Sequence, residues 1–144
     1  MSRTKTILSN KDLIQIKRLI ESNLSKTKIN QKSIYIAPIG RPNNEGEIIE
    51  KQKGQISAYF WGMKTNRGYI GLNLQIINGY QDPLFNDEGK VKIYYEIFPS
   101  ATLNPRDSKI FDTFKQEQNT ISASDSSSTK KVVRKILKKF KSRR

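Results

Sequence analysis

The side chains best placed to do chemistry lie near the C-terminus, where Lys130, Lys131, Arg134, Lys135, Lys138, Lys139 and Lys141 interleave with Val132, Val133, Ile136, Leu137 and Phe140. On a helix at 100° per residue, those apolar positions fall within about 140° of arc and the cations fill the remainder. Such a helix offers two kinds of contact: ammonium and guanidinium groups for phosphates or anionic head groups, and an apolar stripe for insertion. Isolated helices of this length are marginal in water, so the segment is expected to order only when its stripe meets a surface. An anionic membrane would use both faces through insertion and head-group contacts. Nucleic acid or nucleoprotein would use the charge through counterion release. A protein groove, or the chain's own domain, would use the stripe. Ser124, Ser126, Ser127, Ser128 and Thr129 stand beside Asp125 just before this segment. Phosphorylation there would set negative charge against the lysines, although serine is also ordinary linker composition.

What the chain lacks narrows the field as much. It contains no histidine and no cysteine, which removes imidazole acid–base chemistry, Ser/His/Asp and Cys/His nucleophiles, thiolate or imidazole metal sites, and disulfides. The acidic residues Glu45, Glu47, Glu50, Asp82, Asp87 and Glu88 fit no calcium-loop spacing, and no glycine motif would cradle a phosphate. The sequence therefore reads as non-enzymatic, with no catalytic residue, metal, cofactor or small-molecule substrate. No apolar run approaches the roughly 20 residues of a membrane-spanning helix, and "MSRTKTILSNKDL" lacks the apolar centre of a signal peptide. The expected location is intracellular, on a membrane periphery or in a virion, with nuclear import open.

The net charge of +14 is unevenly spread. Residues 1–33 hold eight basic and two acidic side chains, residues 34–121 ten of each, and residues 122–144 nine basic and one acidic. A neutral centre thus lies between two basic flanks. Arg3, Lys5, Lys11, Lys17 and Arg18 form a secondary basic set in the first flank.

The elements that must position these groups can be read from periodicity. Ser9 and Asp12 form a short capping-box pattern, and Leu13, Ile16, Ile20 and Leu24 follow at helical spacing, predicting an amphipathic helix over about 10–24. From Ser33 the pattern becomes β. "SIYIAPIG" is a strand ending at Pro38 or Gly40, and "RPNNEGEIIEKQKG" is a loop with a short strand at Ile48 and Ile49. "GQISAYFWGMK" and "GYIGLNLQIIN" flank a hairpin turn, "TNRG", in which Asn66 and Gly68 can take positive φ. Ile70, Leu72, Leu74 and Ile76 share one face of the second arm, and Val91, Ile93, Tyr95 and Ile97 share one face of "KVKIYYEIF", which Pro99 is expected to stop. A short helix bearing Ile110, Phe111 and Phe114 follows. Tyr59, Trp61, Lys64, Arg67 and Tyr69 around the hairpin are either core or an aromatic and basic platform on which bases could stack.

Two family resemblances rest on quoted blocks. "GKVKIYYEIFPSATLNPRDSKIFDTF", with its alternating strand and I-aromatic-D-x-F segment, and "KTNRGYIGLNLQIINGY" resemble blocks of rhabdovirus-type matrix proteins. "YEIFPSATLNPRD" is also similar to 30K-type plant-virus movement proteins. The first resemblance implies a small, basic, non-enzymatic protein that links a nucleocapsid to the inner face of a membrane and self-associates. The second implies a nucleic-acid-binding movement protein.

The fold class expected is α+β: a small antiparallel β-rich domain with an N-terminal amphipathic helix and a flexible C-terminal basic amphipathic helix. Residues 1–32 form the basic N-terminal segment, 33–118 the β-rich core, 119–129 a serine-rich linker and 130–144 the basic tail. The functional expectation is a matrix-like adaptor that binds an anionic membrane surface and nucleoprotein. Lys130, Lys131, Arg134, Lys135, Lys138, Lys139 and Lys141 would supply charge, with Val133, Ile136, Leu137 and Phe140 for insertion. The alternative is a nucleic-acid-binding or movement-type protein using the same cations on phosphates.

Overall fold

The computed structural model describes residues 7–24, 31–39, 52–65, 68–78, 90–100 and 116–142. Ser9 and Asp12 start the first helix, α1 (Asn10–Leu24), by a reciprocal cap. The Asp12 amide donates to Ser9 Oγ at 3.1 Å and the Ser9 amide donates to Asp12 Oδ2 at 3.0 Å, so two otherwise orphaned groups are satisfied. Leu13, Ile16, Ile20 and Leu24 are all buried, as their spacing predicts.

Five strands follow, β1 (Gln31–Ile39), β2 (Gln52–Thr65), β3 (Gly68–Ile77), β4 (Val91–Ser100) and β5 (Glu117–Ala123). They form one antiparallel sheet in chain order, β1-β2-β3-β4-β5. The register sets Ile56 opposite Ile76, Leu72 opposite Ile97 and Ile76 opposite Ile93, so the alternating apolar positions of the three central strands converge on one buried face. β2 carries a bulge between Trp61 and Met63, where Gly62 takes φ 92°. That conformation suits glycine, and it lets Met63 return to the buried face. Gly68 enters β3 at φ 130°, in line with the hairpin expectation.

A second helix, α2 (Ser126–Lys141), closes the domain. Asp125 caps it, accepting the Ser128 amide at 2.7 Å, and Thr129 Oγ1 donates back to the Asp125 carbonyl at 2.7 Å. α1 packs on β1 and β2, α2 packs on β4 and β5, and the helices touch each other. Val133, Ile136, Leu137 and Phe140 are at most 2% exposed and belong to the same core as Leu72, Ile93 and α1. A buried polar residue, Asn78, holds the chain before α1: its Oδ1 accepts the amides of Ile7 and Leu8, and its Nδ2 donates to the Leu8 carbonyl at 2.8 Å.

The α+β class and the two terminal helices are as the sequence indicates, and three expectations change. The linker at 119–129 is replaced by most of β5 and the start of α2, because Ile121 and Ala123 alternate toward the core and complete the sheet beside β4. The C-terminal helix is docked, because its stripe covers sheet that α1 leaves bare. β4 runs through Pro99 to Ser100; its pairing with β5 ends at Ile97, so Pro99 lies where one side of β4 has no ladder partner among the described residues, as proline tolerates. The Ile48–Ile49 strand, Asn66, and the helix bearing Ile110, Phe111 and Phe114 lie outside the described residues.

If α2 is core, truncating its stripe must destabilise the whole domain. Leu137→Ala is expected to lower unfolding free energy by about 2–5 kcal/mol, measured by urea denaturation followed through tertiary and helical signals together. An unchanged midpoint would mean that α2 is independent of the sheet.

Candidate anion-binding surface

With its stripe buried, α2 turns only polar side chains outward, and their fates follow their positions on the helix. Lys130 and Lys141 reach toward α1. Lys130 Nζ donates to Gln15 Oε1 at 2.8 Å, and Lys141 Nζ approaches the Asn23 carbonyl and Oδ1 at 3.5 and 3.4 Å. Ser126 Oγ donates to Asp12 Oδ1 at 3.1 Å. The contacts advance in step along both helices, so α1 and α2 lie side by side and run in the same direction. α1 has no basic residue in its last turn, and Lys141 of the neighbouring helix meets its carbonyl end instead.

On the opposite flank Lys139 forms an ion pair with Glu117 of β5. The Glu117 carboxylate, with Tyr95 nearby, holds the Lys139 ammonium above its ordinary range. Between the two flanks, Lys131, Arg134, Lys135 and Lys138 are exposed. They occupy successive turns of one outward face, and among the described residues Arg134, Lys135 and Lys138 take part in no ion pair. Across the helix boundary, Lys11 and Arg18 are exposed on the outward face of α1 together with Gln15. Lys17 lies further round and pairs with Glu21 at 3.7 Å. α2 itself contains no acidic residue. The result is a ridge of fixed positive charge whose backbone is held by the core beneath it.

The cation set expected from sequence is therefore divided. Arg134, Lys135 and Lys138 form the exposed centre of the surface, with Lys131, whose charge also acts on Asp125, at its N-terminal end and Lys11 and Arg18 beside it. Lys130, Lys139, Lys141 and Lys17 have local partners, and Arg3 and Lys5 lie outside the described residues. The insertion set, Val133, Ile136, Leu137 and Phe140, is part of the core and is not offered to a membrane, because the sheet already removes it from water. Among the described residues no helix is long and apolar enough to cross a membrane.

The serines lie in ordered structure at the start of α2 and not in a linker. Thr129 is fully buried, Ser126 is bonded to Asp12, and Ser124 and Ser127 are exposed around the first turn of α2. Sequence reasoning had no place for Gln15, Asn23, Asp12 and Glu117 as the groups that orient the flanking lysines. For Asp12 the capping pattern was the available signal; the others are recognisable only once α2 is laid on β5 and α1. No family model, curated protein or solved structure matches the chain, and the surface is read from its own geometry.

The joint at Asp12 carries a pH signature. The Ser9 amide lowers the Asp12 pKa most; the Ser9 and Ser126 hydroxyls and the Lys130 charge act the same way, and burial opposes them. A carboxyl whose folded pKa lies below its unfolded value stabilises the fold above the unfolded pKa. That contribution is lost as pH falls through the folded value. Asp12→Asn is expected to destabilise by about 0.3–1 kcal/mol at pH 6 and to show a smaller deficit at pH 2 in urea melts. An equal deficit at both pH values would show that Asp12 acts through shape alone.

Proposed function

We propose that this chain is a non-enzymatic nucleic-acid-binding protein that holds phosphates on the outward ridge of α2 and the adjoining face of α1. The observation that carries this reading is the exposed row Lys131, Arg134, Lys135 and Lys138, unopposed by any acidic residue on its helix and fixed by the buried stripe below. Binding to a phosphate backbone needs only such charge, because release of condensed counterions supplies the driving force. Fixed lysines on a preorganised helix also lose less freedom on binding than a tail that must fold. The membrane-adaptor reading depended on apolar insertion from the same helix. With the stripe enclosed, a membrane contact would be electrostatic only, at roughly 1 kcal/mol per basic residue near an anionic surface.

Neutralising the ridge separates charge from fold. Arg134→Gln, Lys135→Gln and Lys138→Gln combined should leave the urea midpoint unchanged, because exposed side chains without ion partners contribute little to stability. The same variant should bind duplex DNA more weakly, and the slope of log affinity against log salt should fall by about 0.9 for each cation that touched a phosphate. An unchanged salt slope would remove this surface from the binding site. Stronger binding to anionic vesicles than to DNA at matched salt would return the membrane reading to first place.

A further inference from the structure

The face of the sheet opposite the helices has its own organisation. Register puts Tyr59 and Trp61 of β2, Gly71 and Asn73 of β3, and Phe98 of β4 on that face: Trp61 and Phe98 both pair with Gly71, and Tyr59 pairs with Asn73. Tyr59 and Trp61 meet edge to face with centroids 4.9 Å apart, and Tyr59 and Phe98 lie 5.7 Å apart at 32°. The Phe98 ring rests on Gly71. A Cβ there would sit 2.4 Å from Phe98 Cζ and 2.6 Å from Cε2, so the glycine makes room for the ring to lie against the sheet. Three rings thus form a continuous patch across β2, β3 and β4. They are only partly buried, and Tyr59 remains 40% exposed.

The core does not require this patch, since both helices and the alternating apolar residues lie on the other side. Its charge indicates the kind of occupant. Lys64, paired with Tyr69 beside the trio, is on this face. Among the described residues the carboxylate on this face is Glu96, opposite Asn73, and it is engaged by the Tyr94 hydroxyl at 2.9 Å and by Gln116. Aromatic faces beside a lysine complement a partner that is anionic and carries flat rings.

We infer that Tyr59, Trp61 and Phe98 form a stacking platform for unpaired bases of single-stranded nucleic acid, with Lys64 beside it for the backbone. This rests on the reading of the helical ridge as a phosphate-binding surface, and it adds a preference for single strands that the ridge alone would not have. Bases stack on such rings regardless of sequence, so the platform selects strandedness and not sequence. Asn73, next to Tyr59, can bond to base edges in either direction. Of the hairpin residues the sequence grouped together, Arg67 lies outside the described residues and Tyr69 is on the same face but outside the trio.

The chain has a single tryptophan, Trp61, so its emission reports on the platform directly. The full chain is titrated at low salt with an oligothymidine of about 16 nucleotides and with a duplex of equal length, following Trp61 emission and the anisotropy of labelled DNA. The expected result is saturable quenching by oligothymidine, with duplex binding by anisotropy and leaving Trp61 emission unchanged. Tyr59→Ala and Phe98→Leu, tested separately, should each weaken oligothymidine binding by about tenfold and leave duplex affinity intact. That intact duplex affinity also shows that the variant is folded. Binding of both DNAs with unaltered Trp61 emission and no loss in either variant would overturn the platform while sparing the ridge. Failure of both DNAs to bind would overturn both readings, and quenching by oligothymidine without duplex binding would overturn the ridge alone.

Discussion

The burial of Val133, Ile136, Leu137 and Phe140 against the sheet is the contact on which the rest of the structure depends. Five strands spaced at about 4.8 Å make a surface roughly 19 Å across. One helix, about 10 Å wide with its side chains, cannot cover that width. α1 closes β1 and β2, and without α2 the apolar residues of β4, Val91, Ile93 and Ile97, would face water. The stripe that looks like a membrane-insertion device is the second half of the lid on this sheet, and docking it decides where every lysine of the helix points.

Surface chemistry separates along the same boundary. One side of the molecule is helical and positively charged, with Arg134, Lys135 and Lys138 in no ion pair among the described residues and the flanking cations tied to Gln15, Asn23 and Glu117. The opposite face of the sheet bears three touching rings over a glycine. The core between them is apolar, and the buried polar residues among those described, Asn78 and Thr129, are both hydrogen-bonded. The ridge is preorganised because its positions are set by buried contacts and by caps at Ser9 and Asp125, with no contribution required from a partner.

Much of this was legible in the residues. The Ser9–Asp12 cap, the α1 stripe, the alternation of β3 and β4, and the positive φ of Gly68 all follow from local patterns that have one favourable solution. β5 was hidden because an edge strand needs few apolar residues; Ile121 and Ala123 are its inward apolar positions, in a segment whose serines and amides read as linker. The fate of α2 was hidden for a different reason. An amphipathic stripe has the same sequence whether it meets lipid, a partner or its own sheet, so the helix alone does not distinguish them. The width of the sheet does, and that width became countable only once β5 was added. The candidate cations stand out in the sequence by charge alone, but which of them are tethered depends on neighbours distant in sequence, Gln15, Asn23 and Glu117.

Amide hydrogen exchange in the free protein, without nucleic acid or lipid, tests the central claim most directly. If α2 is a permanent wall of the core, the amides of Val133 to Phe140 will be protected to a degree comparable with those of β3 and will open with them near the global unfolding limit. Exchange of those amides at nearly unprotected rates, beside a protected sheet, would show that the helix forms only on a partner. It would return the stripe to the solvent from which this account removes it.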